Sequence, residues 1–134
     1  MQARSPAIED TADLRRAVAD LCDRLGLDHT MDVPAGRRIW GVSRGLDFVI
    51  RHHDTSLGVE CKCLGDDEAD FEQVAMSVRD IAAWPIPGML VLAGDDEYFS
   101  REKGFLLSTG KAVEIEDLED WLRLYFGLPF LIDD

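Results

Sequence analysis

Asp47, Glu60 and Lys62 are the residues of this chain whose types and spacing best suit chemistry on a phosphate. Residues 57–63 alternate strictly, with Leu57, Val59, Cys61 and Cys63 on one side and Gly58, Glu60 and Lys62 on the other. That pattern predicts a half-buried strand whose charged side faces solvent. Just upstream, residues 46–51 are rich in β-formers, and the polar link His53, Asp54, Thr55 and Ser56 lets the two segments pair as a hairpin. With an even number of loop residues, Asp47 falls opposite Glu60 or Lys62, and all three side chains emerge on one face. The same register sets Phe48 and Ile50 beside Val59, Leu57 and Cys61. A one-residue slip would bury the charges and expose the apolar set, so pattern and register support each other.

Two carboxylates held about 4 Å apart repel by roughly 4 kcal/mol at an effective dielectric of 20, against a net domain stability of about 5–15 kcal/mol. A positive charge is therefore expected between them. Lys62 relieves part of the repulsion, and converging carboxylate oxygens are also what Mg²⁺ or Mn²⁺ selects. Such an ion can bridge a phosphate oxygen and lower the pKa of a bound water, while a neighbouring lysine steadies the nucleophile or the developing charge. The chemistry implied is metal-assisted phosphodiester hydrolysis. The plainer alternative is that Glu60 and Lys62 are cross-strand charge pairs, contributing a few tenths to about 1 kcal/mol each.

Asp47 followed by Glu60, Cys61 and Lys62 on the next strand resembles the PD-(D/E)xK nuclease superfamily, with some similarity to its small VRR-type domains. Leu46 stands where the named motif has proline. The resemblance covers about residues 8–94. It implies a restriction-endonuclease-like α/β core: a helix, an antiparallel sheet holding the acidic hairpin, a crossover helix, a parallel strand and here a C-terminal helix. It also implies a Mg²⁺-dependent or Mn²⁺-dependent nuclease acting on DNA. Asp47 and Glu60 would be metal ligands, the Cys61 backbone carbonyl would touch the metal, and Lys62 would position the water. Gln73 matches the position of a helix glutamine that orients the active site in several branches, although the aromatic residue some branches place four positions later is Ser77. Members often add a carboxylate from the first helix; Asp13 is the candidate, with Glu9 and Asp10 as competitors. All three acids also suit a helix N-terminus facing solvent.

The elements needed to position these groups are legible. About residues 8–25 form an amphipathic helix with Leu14, Val18, Leu21, Cys22 and Leu25 on its buried stripe, stopped by Gly26. After Gly65, Asp66, Asp67 and Glu68 suit the start of a second helix. Phe71, Val74, Ala75, Val78 and Ile81 recur at helical spacing until Pro85 and Pro87. Residues 88–94 form a short apolar run between glycines, expected as a parallel strand buried on both faces. Residues 104–108 read as one more short strand and residues 116–126 as a final helix. The apolar tail at 128–132 is expected to pack against the body or a second copy.

A chain of 134 residues is one domain's worth, and 46% apolar with 31% charged residues is ordinary for a soluble globular protein. No signal-peptide pattern is present. The most apolar stretch, 81–94, is broken by Pro85, Pro87 and Gly88 and cannot span a membrane, so a cytoplasmic protein is expected. The three cysteines make no complete disulfide framework and read as reduced and packed. Cys61 and Cys63 with His52 and His53 nearby lack the second ligand pair of a zinc site.

A formal net charge of −13 opposes nucleic-acid binding. Arg37, Arg38, Arg44 and Arg51 cluster before and within the hairpin, making that side locally basic. DNA affinity would then need the metal, a homodimer that pools the arginines, or a partner protein. Two readings follow: a metal-dependent DNA nuclease, or a non-catalytic nuclease-fold binding module or nucleic-acid mimic acting through its acidic surface.

Overall fold

Leu14, Val18, Leu21 and Cys22 recur on one face of helix α1, Thr11–Leu25, and are all buried. The Asp10 side chain caps the helix by accepting from the Asp13 amide at 2.8 Å, and Gly26 ends it in the left-handed region at φ 73°. The chain then forms three antiparallel strands: β1 (Asp28–Ile39), β2 (Val42–His52) and β3 (Thr55–Cys63). Beyond them come β4 (Gly88–Ala93), helix α2 (Ser100–Ser108), β5 (Ala112–Glu114) and helix α3 (Ile115–Phe126). The five strands lie in sequence order, with β3, β4 and β5 parallel. The computed structural model describes residues 8–39, 42–63, 78–79, 81, 84, 86–94 and 100–129.

Two apolar clusters sandwich the sheet. On one side, α1 and α3 cover Phe48, Ile50, Leu57, Val59, Cys61 and Val91. On the other, Ile81, Trp84 and Leu106 cover Val49, Leu90 and Leu92. Fully burying a side chain such as Phe48 or Leu90 contributes about 1.5–3 kcal/mol. This is a mixed five-stranded sheet flanked by helices, a restriction-endonuclease-like α/β core. Among the described residues no helix is long and apolar enough to cross a membrane.

The hairpin register is as the sequence implied. A two-residue turn at His53 and Asp54 joins His52 to Thr55, and Phe48 pairs with Val59 and Ile50 with Leu57. One expectation is corrected, however: the side of β3 bearing Gly58, Glu60 and Lys62 is not a solvent face. The Trp84 ring covers Gly58 so closely that an added Cβ would lie 2.8 Å from it, and Leu90 and Leu92 stand beside Glu60 and Lys62. Alternation shows which residues share a side, but the cover comes from segments distant in sequence. Glu60 and Lys62 are half-buried.

Residues 104–108 are also corrected, being helical rather than a strand. Leu106 alone of that run is buried, and the parallel edge strand is the three-residue β5 that follows. A five-residue apolar run is too short for its period to separate helix from strand. Strand β1 was not foreseen, because Pro34 and Gly36 interrupt its β-forming residues and a register shift falls between Pro34 and Arg38. The second helix expected at about 66–81 falls mostly outside the described residues, of which Val78, Arg79 and Ile81 are helical.

Candidate functional site

The ladder between β2 and β3 ends at Phe48 and Val59. One residue further on, at Asp47, the β2–β3 pairing has stopped. The Oδ2 of Asp47 accepts from the Cys61 amide at 2.7 Å, so the carboxylate takes a donor that a continued ladder would have given to a backbone carbonyl. Asp47 is thereby brought to the Cys61 amide, with Glu60 and Lys62 on either side of Cys61 in the chain, near the carboxyl end of β3. Ligands of open α/β sheets usually bind outside the carboxyl ends of parallel strands.

On its other side Asp47 meets Arg15 of α1, with Oδ1 3.8 Å from the guanidinium Nε. Arg15 Nη2 donates to Asp32 Oδ1 at 2.6 Å, and Cζ lies 6.0 Å from the centre of the Phe48 ring. Burial works against the Arg15 charge, but the bond to Asp32 and the fields of Asp47 and Asp32 outweigh it and raise its pKa. Sequence reasoning missed both Arg15 and Asp32. The only signal for Arg15 was its place beside Leu14 at the edge of the buried helical stripe.

Asp13 sits at the start of α1, where its Oδ2 accepts from the Glu9 amide at 3.0 Å and its Oδ1 pairs with Arg16 at 3.1 Å. The Glu9 amide chiefly, helped by Arg16 and opposed by some desolvation, lowers its pKa. Asp13 lines a cleft of about 660 Å³ between α1, the end of β4 and the start of α3, which Asp47, Glu60 and Lys62 do not line. Gln73 and Ser77 lie outside the described residues, as do the side chains of Arg37, Arg38 and Arg44; Arg51 is exposed. A second unforeseen charge pair stands on the Lys62 side of the sheet. Lys103 Nζ bonds Glu114 Oε1 and the Gly94 carbonyl, each at 2.8 Å, and Glu114 is the register partner of Leu92, itself the partner of Lys62.

Cys22, Cys61 and Cys63 are buried and take part in no disulfide. Burial first, then the Asp47 and Glu60 carboxylates, pushes the Cys61 thiol well above its ordinary value, and burial pushes Cys22 up to about 12. Neither thiol is poised to act as a thiolate. Among the described residues no group of three or more His, Cys, Asp and Glu side chains forms a metal site. Carboxylates and a backbone carbonyl are donor types that Mg²⁺ takes, alongside several waters.

No protein-family model matches the sequence, and no curated protein matches it. Solved structures do share the fold. One is Can2 from Sulfobacillus thermosulfidooxidans in complex with cyclic tetra-adenylate, with a TM-score of 0.57, 14% identity, and coverage of 87% of this chain and 36% of that one. Another is AF1548, a protein of unknown function, with a TM-score of 0.50, 15% identity, and coverage of 75% of this chain and 56% of that one. The chain thus spans about a third to just over half the length of these neighbours. Likeness at such low identity carries the fold alone.

Proposed function

We propose that this chain is a metal-dependent nuclease of the PD-(D/E)xK type that hydrolyses phosphodiester bonds, with DNA as its substrate. The observation that supports the reading is the Asp47 carboxylate bonded to the Cys61 amide just beyond the last β2–β3 pair, beside the strand segment that carries Glu60 and Lys62. Its fold neighbour Can2 was solved with a cyclic oligoadenylate, a ligand built from phosphodiester-linked nucleotides, which accords with a phosphate-handling fold.

Asp47 and Glu60, with the Cys61 carbonyl, would hold Mg²⁺ or Mn²⁺. The bound ion would supply Lewis-acid polarisation of a phosphate oxygen and a more acidic water. The Cys61 amide fixes one carboxylate oxygen of Asp47, leaving Oδ1 and the remaining lone pairs for other partners. Lys62 presents an ammonium that orients the attacking water and offsets charge building on the phosphate. Gln73 would assist in orientation, and Asp13 is the further acid proposed from α1. With a net charge of −13, DNA binding would rest on the metal, a second copy or a partner protein.

The test is a cleavage screen on duplex, nicked, single-stranded and branched DNA with Mg²⁺ and with Mn²⁺, using the parent chain and Lys62→Ala. Cleavage by the parent and its loss in a folded Lys62→Ala variant are expected. Equal cutting by both would overturn the assignment. Absence of cleavage with either ion, together with salt-sensitive binding to a basic protein, would favour the non-catalytic binding module.

A further inference from the structure

Arg15 stands between two carboxylates of unequal standing. Asp32 is exposed and bonded to Nη2 at 2.6 Å, whereas Asp47 is mostly buried and lies 3.8 Å from Nε, outside hydrogen-bond reach. Nε is itself buried, with no hydrogen-bond partner among the described residues. Phe48 sits beneath the guanidinium, and Asp32 holds its other end. Asp32 adopts the left-handed region at φ 56°, at the one β1 position skipped between the pairs formed by Met31 with Phe48 and by Val33 with Leu46. Few non-glycine residues adopt that conformation without compensation, and Asn and Asp do so most readily. From that position the Asp32 carboxylate accepts from Arg15 Nη2.

We propose that Arg15 is a positioning residue for Asp47, and that the chain Asp32, Arg15, Asp47 sets how strongly Asp47 attracts a cation. Arg15 is the fixed positive charge that holds the Asp47 carboxylate against the Cys61 amide and competes with any cation approaching Oδ1. Asp32 draws the guanidinium away and so moderates that competition. The cation part of this proposal rests on the reading of Asp47 as a metal ligand; the positioning part does not.

The experiment measures Mn²⁺ affinity by titration calorimetry, and exchange of the Cys61 amide by NMR without metal, in the parent, Arg15→Met, Arg15→Lys and Asp32→Asn. Methionine keeps the apolar stem on Phe48, lysine keeps the charge, and asparagine tolerates the backbone of position 32. Arg15→Met is expected to bind Mn²⁺ about tenfold more tightly and to exchange the Cys61 amide several-fold faster. Arg15→Lys should stay near the parent, and Asp32→Asn should bind Mn²⁺ about threefold more weakly. A purely structural role would not produce opposite signs in two folded variants. Unchanged Mn²⁺ affinity in both overturns the competition. If the parent binds no Mn²⁺, the metal-site reading fails instead, and unaltered Cys61 exchange in Arg15→Met overturns the positioning role on its own.

Discussion

The carboxylate of Asp47 accepts from the backbone amide of Cys61 at 2.7 Å at the point where β2 and β3 stop pairing. One side chain therefore closes the end of a ladder and turns its other oxygen toward Arg15. The two roles separate by mutation. Asp47→Ala leaves a part-buried N–H unpaired and should lose about 1–3 kcal/mol. Asp47→Asn keeps an acceptor oxygen and should lose less than half of that while still losing Mg²⁺-dependent cleavage. Urea unfolding beside the cleavage assay checks both.

A cation that binds only the folded chain should stabilise it by about 2.7 kcal/mol at a hundredfold excess over its dissociation constant. Mn²⁺ is expected to raise the melting temperature of the parent, with the rise absent in Asp47→Asn and in Glu60→Gln. A scanning-calorimetry series with and without chelator measures it.

The Trp84 ring lies against Gly58 and Gly88, and a Cβ on Gly88 would sit 2.5 Å from Trp84 Cε3 and 2.7 Å from Ile81 Cγ2. Gly88→Ala should therefore destabilise by about 1–3 kcal/mol through overpacking. Gly104 lies in α2, exposed and with nothing among the described residues within 4 Å of an added Cβ. Gly104→Ala should stabilise by about 0.5–1 kcal/mol through helix propensity. Opposite shifts in the urea midpoint are the expected result.

Glu119 of α3 is gripped by Arg24 at 2.9 Å and by Arg123 at 3.0 Å, and these bonds, Arg24 first, hold its pKa below the ordinary 4.5. A depressed folded value means the contribution is present above the unfolded value and is lost as pH falls through the folded one. Acid unfolding of the parent below pH 4.5 should thus be steeper than that of Glu119→Gln. Melting curves at stepped pH values decide it.

Cys22 and Cys61 should resist thiol reagents at pH 8 in the native chain and react once it is unfolded. Their raised folded values also imply stability that is complete below the ordinary 9.0 and lost as pH rises toward the folded value, about 12 for Cys22. Reagent uptake with and without denaturant, followed by alkaline melts of Cys22→Ala, tests both statements.

Much of the frame was written locally. The stripe Leu14, Val18, Leu21 and Cys22, closed by Gly26, specifies α1 because helical spacing and a left-handed stop are properties of a few adjacent residues. The hairpin register followed from alternation and a two-residue turn. Residues 104–108 failed because a short apolar run satisfies either period, and β1 failed because proline and glycine mask a strand held mainly by its neighbour.

The sequence by itself determined that Asp47, Glu60 and Lys62 fall in one hairpin, since side-chain period and loop parity are local. Only the tertiary structure decided what surrounds them. Trp84 covers Gly58 on the face that alternation assigned to solvent, Arg15 arrives from a helix thirty-two positions earlier in the chain than Asp47, and Asp32 anchors it from a third element. Burial and charge at a site are summed over whatever packs there, and packing joins residues that no short window of sequence contains.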